Sequence, residues 1–151
     1  MAAATETIAV RAAQEGDVET IALLSAQLGY PTPVDEMRER YSRVRAAQAG
    51  EIFVATRVSD ARVVGWTHVV PRLQLEDAPY AELAGLVVDE TVRSAGVGAA
   101  LLAAAEEWAH GQRFATMRVR SNVVRERAHR FYEREGYVRV KAQAVFRKAL
   151  R

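Results

Sequence analysis

The chain has 151 residues, half of them hydrophobic, which is one domain's worth of sequence with room for a proper core. It has no cysteine, so disulfides and thiolate nucleophiles are excluded. The three histidines, His68, His110 and His129, lack metal-ligand spacing, and no metal is expected. No apolar run would span a bilayer, and the N-terminus lacks the basic-then-apolar layout of a signal peptide. A cytoplasmic protein without a membrane partner is the expectation.

The net charge of +2 conceals an asymmetry. Through His110 there are 9 basic against 16 acidic residues, net −7; beyond it there are 12 against 3, net +9. A basic half suits a polyanion and an acidic half suits a cation, although most such charges simply solvate a surface. No aromatic-interleaved basic motif supports nucleic acid as the polyanion, so none is expected as a partner.

Residues 1–6 are Ala-rich and expected to be disordered, with one domain over 7–151. Thr7 to Ala12 alternates as a first strand, Ile8 and Val10 sharing a face. Gly16-Asp17 opens a helix with Asp17 as N-cap; Ile21, Leu24 and Leu28 mark its buried stripe and Gly29 ends it. After the Pro31-Thr32-Pro33 break, Val34, Met37, Tyr41 and Val44 mark a second helix that stops at Gly50.

Ile52 to Val58 and Arg62 to Leu73 read as strands of a hairpin, with Pro71 weakening the far end of the second. Period-two alternation puts Val64, Trp66, His68 and Val70 on one face, where they either pack beneath helices or line a pocket. Tyr80 to Asp89 is the next strand, and a helix follows to about Ala109, buried through Leu101, Leu102, Ala105 and Trp108. Phe114 to Arg120 is a strand, and a helix capped at Ser121-Asn122 runs to Glu135, with Gly136 as its stop. Residues 137–141 and 143–150 can close as a hairpin. The order β-α-α-β-β-β-α-β-α-β-β fits an α+β domain with a mixed central sheet flanked by helices.

Two stretches carry the chemistry. In Leu86-Val87-Val88-Asp89-Glu90-Thr91-Val92-Arg93-Ser94-Ala95-Gly96-Val97-Gly98-Ala99, a buried strand turns through a glycine-bearing loop into a helix. The first turn of that helix offers unpaired N–H groups and the positive end of a dipole, which attract phosphate. Gly-x-Gly-x-x-Gly and Gly-Lys-Ser/Thr are both absent, so the dinucleotide and P-loop patterns fit worse. The second stretch, Ser121 to Tyr137, holds Asn122, then Ala128-His129-Arg130-Phe131-Tyr132, then Gly136-Tyr137.

Arg93-x-x-Gly96-x-Gly98 after an apolar strand resembles the acyl-CoA pyrophosphate loop of the GCN5-related N-acetyltransferase (GNAT) family, and Ser121 to Tyr137 resembles its C-terminal motif. The wording of the second stretch is similar to that of aminoalkylphosphonate and aminoglycoside N-acetyltransferases. The resemblance implies a GNAT domain and acetyl-CoA as co-substrate. It implies that the main chain at Leu86, Val87 and Val88 pairs with the pantetheine arm, an N–H nearby polarising the thioester carbonyl. It implies that the amides of Arg93, Ser94, Ala95, Gly96, Val97, Gly98 and Ala99 hold the pyrophosphate, and that Asn122 contacts the pantetheine or a bridging water.

By the same resemblance Tyr132 is the general acid beside the thioester sulfur; a phenol can protonate a thiolate while staying neutral at pH 7. Glu82 falls at the offset where several members keep a catalytic glutamate, and alternation puts it on one face with Leu86 and Val88. A carboxylate there would take the proton from the attacking ammonium. The acidic residues Asp35, Glu36, Glu39, Glu76, Asp77 and Glu82 border the expected acceptor region, which suggests a small-molecule primary amine. The alternatives are a catalytically silent acyl-CoA-binding module and a protein acetyltransferase acting on lysine or an N-terminus. A homodimer is left open.

Overall fold

The computed structural model describes residues 7–92, 95–121 and 125–151. They fall into two compact units, Met1–Val119 and Arg120–Arg151. In the first, the order is β1 (Ile8–Ala12), a 3-10 turn at Glu15–Asp17, α1 (Val18–Gln27), α2 (Val34–Ala46), β2 (Glu51–Arg57), β3 (Arg62–Arg72) and β4 (Tyr80–Val88). A 3-10 turn at Glu90–Val92, then α3 (Val97–Gly111) and β5 (Met117–Val119), complete it. The five strands lie in chain order, antiparallel except for the parallel pair β4–β5. This is the mixed sheet of the expected α+β class.

Each face of the sheet has its own core. Ile21 and Leu24 of α1 pack with Ile52, Val54, Val63 and Val87, and Met37, Tyr41 and Val44 of α2 join them. On the other face Val97 and Leu101 of α3 pack with Ala55, Val64 and Val92, joined by Ile8, Val10, Phe53, Leu86 and Val88. The helical spacings on α1, α2 and α3 therefore reflect burial. A Cβ at Gly65 would sit 3.1 Å from Val97 Cγ1 and 3.0 Å from Leu101 Cδ1, so the bare backbone there is what lets α3 approach β3.

Two bulges correct the strict alternation. Ala55 faces Gly65 while Thr56 faces Val63, so Val64 is an extra residue in β3. Val64 accordingly joins the α3 core, whereas Trp66 packs on the α1/α2 side. Likewise Gly85 faces His68 while Leu83 faces Val69, leaving Ala84 extra in β4. One inserted residue reverses the facing of everything before it. Glu82, opposite Val70, thus shares a face with Trp66, His68 and Val87, and not with Leu86 and Val88 as alternation had it.

Pro71 stays in β3, opposite Ala81; β2 pairing ends at Val69, and beyond it β3 has lost one neighbour. Asp17 is the N-cap residue of α1, but its side chain makes no cap hydrogen bond to that helix. Its carboxylate accepts the Gln14 N–H at 2.8 Å and both Arg11 nitrogens at 2.7 and 2.9 Å, closing the 3-10 turn instead.

In the second unit, α4 (Glu126–Arg134) ends at Gly136, whose φ is 95°. No strand is assigned among the described residues of 138–151, where the closing hairpin is expected. Lys141 to Ala144 offers no Gly, Asn, Asp or Pro to set a tight turn, and a two-stranded ribbon is marginal by itself. Residues 1–6, with their expected disorder, lie outside the described residues.

Candidate active site

The loop that organises the sequence begins where β4 leaves the sheet. β4 and β5 pair only over Ala81–Leu83 with Met117–Val119, so the ladder stops at the Ala84 bulge. Past it, on the side away from β3, the main chain of Ala84 to Val88 runs beyond the β5 ladder. The bulge is stabilised from below by Thr67, a buried hydroxyl that donates to the Gly85 carbonyl at 2.6 Å. From the opposite face the Trp66 ring covers Gly85; a Cβ there would lie 2.8 Å from Trp66 Cη2. Leu86 and Val88 send their side chains into the α3 core and Val87 into the other, leaving their main chain as what the strand presents.

The turn into α3 follows. Gly96 is its N-cap with φ 82° and ψ 8°, a left-handed conformation that costs a residue with a Cβ about 1 kcal/mol or more. A Cβ at Gly96 would meet nothing within 4 Å, so backbone conformation and not crowding calls for glycine. The first helical bond is Ala100 N–H to Gly96 O at 3.0 Å. The amides of Val97, Gly98 and Ala99 lie ahead of it, at the positive end of a 15-residue helix. Val97 is buried while Gly98 and Ala99 are half-exposed, and Ala95, half-buried, donates its N–H to Val92 O. Arg93, Ser94 and Asn122 lie outside the described residues.

The strand-to-loop junction is held by Asp89, a buried residue that the motif reading passed over. Its Oδ1 accepts the Thr91 N–H and hydroxyl, each at 2.9 Å, and its Oδ2 accepts Arg62 Nη2 at 2.9 Å. Burial alone would raise this carboxyl, but the Thr91 donors and the Arg62 guanidinium outweigh it and hold it below the usual carboxylate range. Asp-x-Thr at a strand end is an Asx-turn signature, so the signal was in the sequence.

Glu82 is buried, and Arg72 Nε donates to its Oε2 at 2.8 Å; Arg72 Nη2 bonds the same oxygen. Sequence reading missed this partner, because the pair forms across two strands and needs the bulge to bring both onto one face. The acidic border is largely compensated in the same way. Glu39 pairs with Arg43, Asp35 with Arg38 and Asp77 with Arg118, whose guanidinium also lies 4.0 Å from the Tyr80 ring centre. His68 is structural: its Nε2 lies 2.9 Å from the Ala49 carbonyl, the geometry of an N–H donated to it. The Trp66 indole nitrogen is buried with no hydrogen-bond partner among the described residues.

In the second unit Tyr132 lies half-buried on α4, edge-on to Phe131 at 5.1 Å and to Tyr137 at 5.9 Å between ring centres. Burial pushes its hydroxyl above the ordinary phenol value, against a smaller lowering by Arg125. The group is therefore a proton donor through the neutral range.

Comparison with known proteins bears on these features together. The model of the acetyltransferase (GNAT) family matches residues 18–137, a span that includes the loop, α3 and α4. An aminoglycoside N-acetyltransferase solved with CoA is 18% identical, with a TM-score of 0.85, the match covering 99% of this chain and 100% of that one. An aminoglycoside antibiotic 6′-N-acetyltransferase from Acinetobacter haemolyticus is 18% identical with a TM-score of 0.81, covering 94% and 99%. A putative acetyltransferase from Agrobacterium tumefaciens is 26% identical with a TM-score of 0.80, covering 93% and 99%. No curated protein is significantly similar in sequence.

Proposed function

The chain belongs to the acetyltransferase (GNAT) family and is an acetyltransferase with acetyl-CoA as co-substrate, and from that premise we propose that it acetylates a small-molecule primary amine by direct transfer. What supports this reading is the glycine turn at Gly96, which leaves the Val97 to Ala99 amides ahead of the first helical bond of α3, a helix that packs on β4 at Leu86 and Val88, while β5 pairs with β4 only as far as Leu83. A pyrophosphate on those amides leaves the pantetheine arm to extend along β4 as an added strand, its amides pairing with Leu86, Val87 and Val88. All of the cradle is assigned by family pattern: the amides of Ala95 to Ala99 are its described part, the Ala95 N–H being already donated to Val92 O, and Arg93, Ser94 and Asn122 lie outside the described residues.

The amine nitrogen attacks the thioester carbonyl carbon, whose oxygen is stabilised by a main-chain N–H of β4 near the bulge. Glu82 takes the proton from the ammonium, directly or through water, and Arg72 orients its carboxylate. The C–S bond breaks and the thiolate of CoA is protonated; by family pattern the donor is the Tyr132 hydroxyl. With no cysteine in the chain, an acetyl-cysteine intermediate is impossible and a ternary complex is the route. A small amine is favoured over a protein tail because Glu82 is buried, and a small unencumbered nitrogen comes near a buried carboxylate more easily than a side chain on a bulky backbone does.

Initial-rate kinetics with polyamines, aminoglycosides and aminoalkyl compounds, run beside lysine-bearing peptides, test the reading. Intersecting lines and a preference for free amines are expected. Ping-pong kinetics would refute direct transfer, and a peptide preference would refute the acceptor class. Tight acetyl-CoA binding with turnover on no amine would point to a silent acyl-CoA sensor. Tyr132→Phe keeps the ring and removes the proton; kcat should fall about ten- to a thousandfold with the acetyl-CoA KM nearly unchanged. Full activity in that variant would make Tyr132 a packing residue.

A further inference from the structure

We infer that Asp89 is a positioning residue for the acetyl-CoA pyrophosphate, acting through the turn that links β4 to α3; this rests on the reading of that loop as the pyrophosphate cradle. Asp89 touches nothing that reacts. It gathers the chain on either side of the turn into one buried hydrogen-bonded hub. Its own N–H donates to Val64 O at 2.8 Å, continuing the β3–β4 ladder one residue past the strand. Its carbonyl accepts the Val92 N–H at 3.0 Å, closing the 3-10 turn. Its carboxylate takes both Thr91 donors on one oxygen and Arg62 on the other. One step further, the Glu90 N–H is capped by Gln27 Oε1 of α1 at 2.9 Å.

The consequence is geometric. Strand β3, through Val64 and Arg62, and helix α1, through Gln27, both determine where the chain leaves β4. Val92 then buries its side chain in the α3 core, and Val97 and Leu101 anchor the helix in the same cluster. The described residues on either side of Arg93 and Ser94 are thus anchored, and on the β4 side the Asp89 carboxylate adds three of the bonds. Amides that must all point at one ligand gain from fixed positions, since an ordered cradle pays its entropy before binding. A carboxylate is the fitting group: it accepts three hydrogen bonds at once, where an amide accepts on one atom only.

The test separates positioning from folding by changing the substrate as well as the protein. S-acetylpantetheine has the thioester and the pantetheine arm but no pyrophosphate. Asp89→Asn keeps an acceptor for Thr91 and faces Arg62 with an amide; Asp89→Ala removes both. For acetyl-CoA, KM should rise about tenfold in the Asn variant and more in the Ala variant, with kcat changed less than about threefold. For S-acetylpantetheine, kcat/KM should be unchanged in the Asn variant. An equal loss on both substrates would mean a merely structural role and overturn the inference, as would no change on either. Gly98→Val, measured alongside, tests the cradle itself: if it leaves the acetyl-CoA KM unaltered, the loop reading fails, whatever Asp89 does.

Discussion

Two stretches of β4 lie on either side of the Ala84 bulge and do opposite kinds of work. Beyond the bulge, Leu86, Val87 and Val88 turn their side chains into the two cores, so that what the proposed site uses there is main chain, as it is at the Gly96 turn and the first amides of α3. Before it, Glu82 and Tyr80 offer side chains that are already engaged, Glu82 with Arg72 and Tyr80 beneath Arg118. A site made of backbone is insensitive to which apolar residues build it. A site made of side chains depends on register, on facing and on partners far away in sequence. On the proposed reading, binding of the common co-substrate rests on the first kind and choice of acceptor on the second.

The comparison breaks most sharply at Gly98. A valine there puts a branched side chain on the half-exposed first turn of α3, where the proposed cradle would receive the phosphates. The acetyl-CoA KM should rise about a hundredfold or binding be lost, while the melting temperature of the free protein stays close to wild type. Equilibrium binding of CoA by calorimetry checks it. Unaltered affinity would make the glycine turn a structural one and remove the contrast.

That difference also explains what could be read without coordinates. The strand, glycine turn and helix around Gly96 were legible because each is a local consequence of residue type: apolar alternation, one left-handed position, an Ala/Leu-rich helix. Helices α1 and α2 were legible for the same reason. The facing of Glu82 was not. A bulge has no reliable mark in one sequence, and a single extra residue at Ala84 turned the inferred face over. Arg72 could not be paired with Glu82 until that facing was known. Four of the six carboxylates expected to border a negative acceptor region have an arginine at ion-pair distance, from α2 or from the neighbouring strands.

Glu82 and Arg72 give the second, smaller effect. Glu82→Gln keeps the shape and an acceptor for Arg72 but cannot take a proton, so kcat/KM for the amine should fall about ten- to a hundredfold with acetyl-CoA binding intact. Arg72→Gln should cost less, about three- to tenfold, since it leaves the carboxylate and loses only its orientation. The order of the two variants is what matters. If Arg72→Gln is the more damaging, the guanidinium meets the substrate and the carboxylate merely holds it. If the pH–rate profile of Glu82→Gln matches wild type, the proton goes to water and Glu82 is no base.

The smallest effect belongs to Trp66, on the same face. Its ring fills the space over Gly85 and its carbon frame packs in the α1/α2 core, yet its indole nitrogen is buried with no hydrogen-bond partner among the described residues. A buried donor without an acceptor costs roughly 1–3 kcal/mol relative to an apolar atom in its place. Trp66→Phe removes the donor and keeps an aromatic ring, but it also shrinks the side chain and leaves a small void, which costs roughly 1 kcal/mol or somewhat more. The two terms nearly cancel, so a change in stability within about 1 kcal/mol is expected by urea unfolding. Activity should then change less than about threefold if the tryptophan only packs. A loss of tenfold or more in the amine kcat/KM, with stability and acetyl-CoA binding retained, would show that the indole N–H serves the acceptor. In that case the acceptor side would contain one group held ready rather than already spent, and the contrast between the two halves of β4 would soften to that extent.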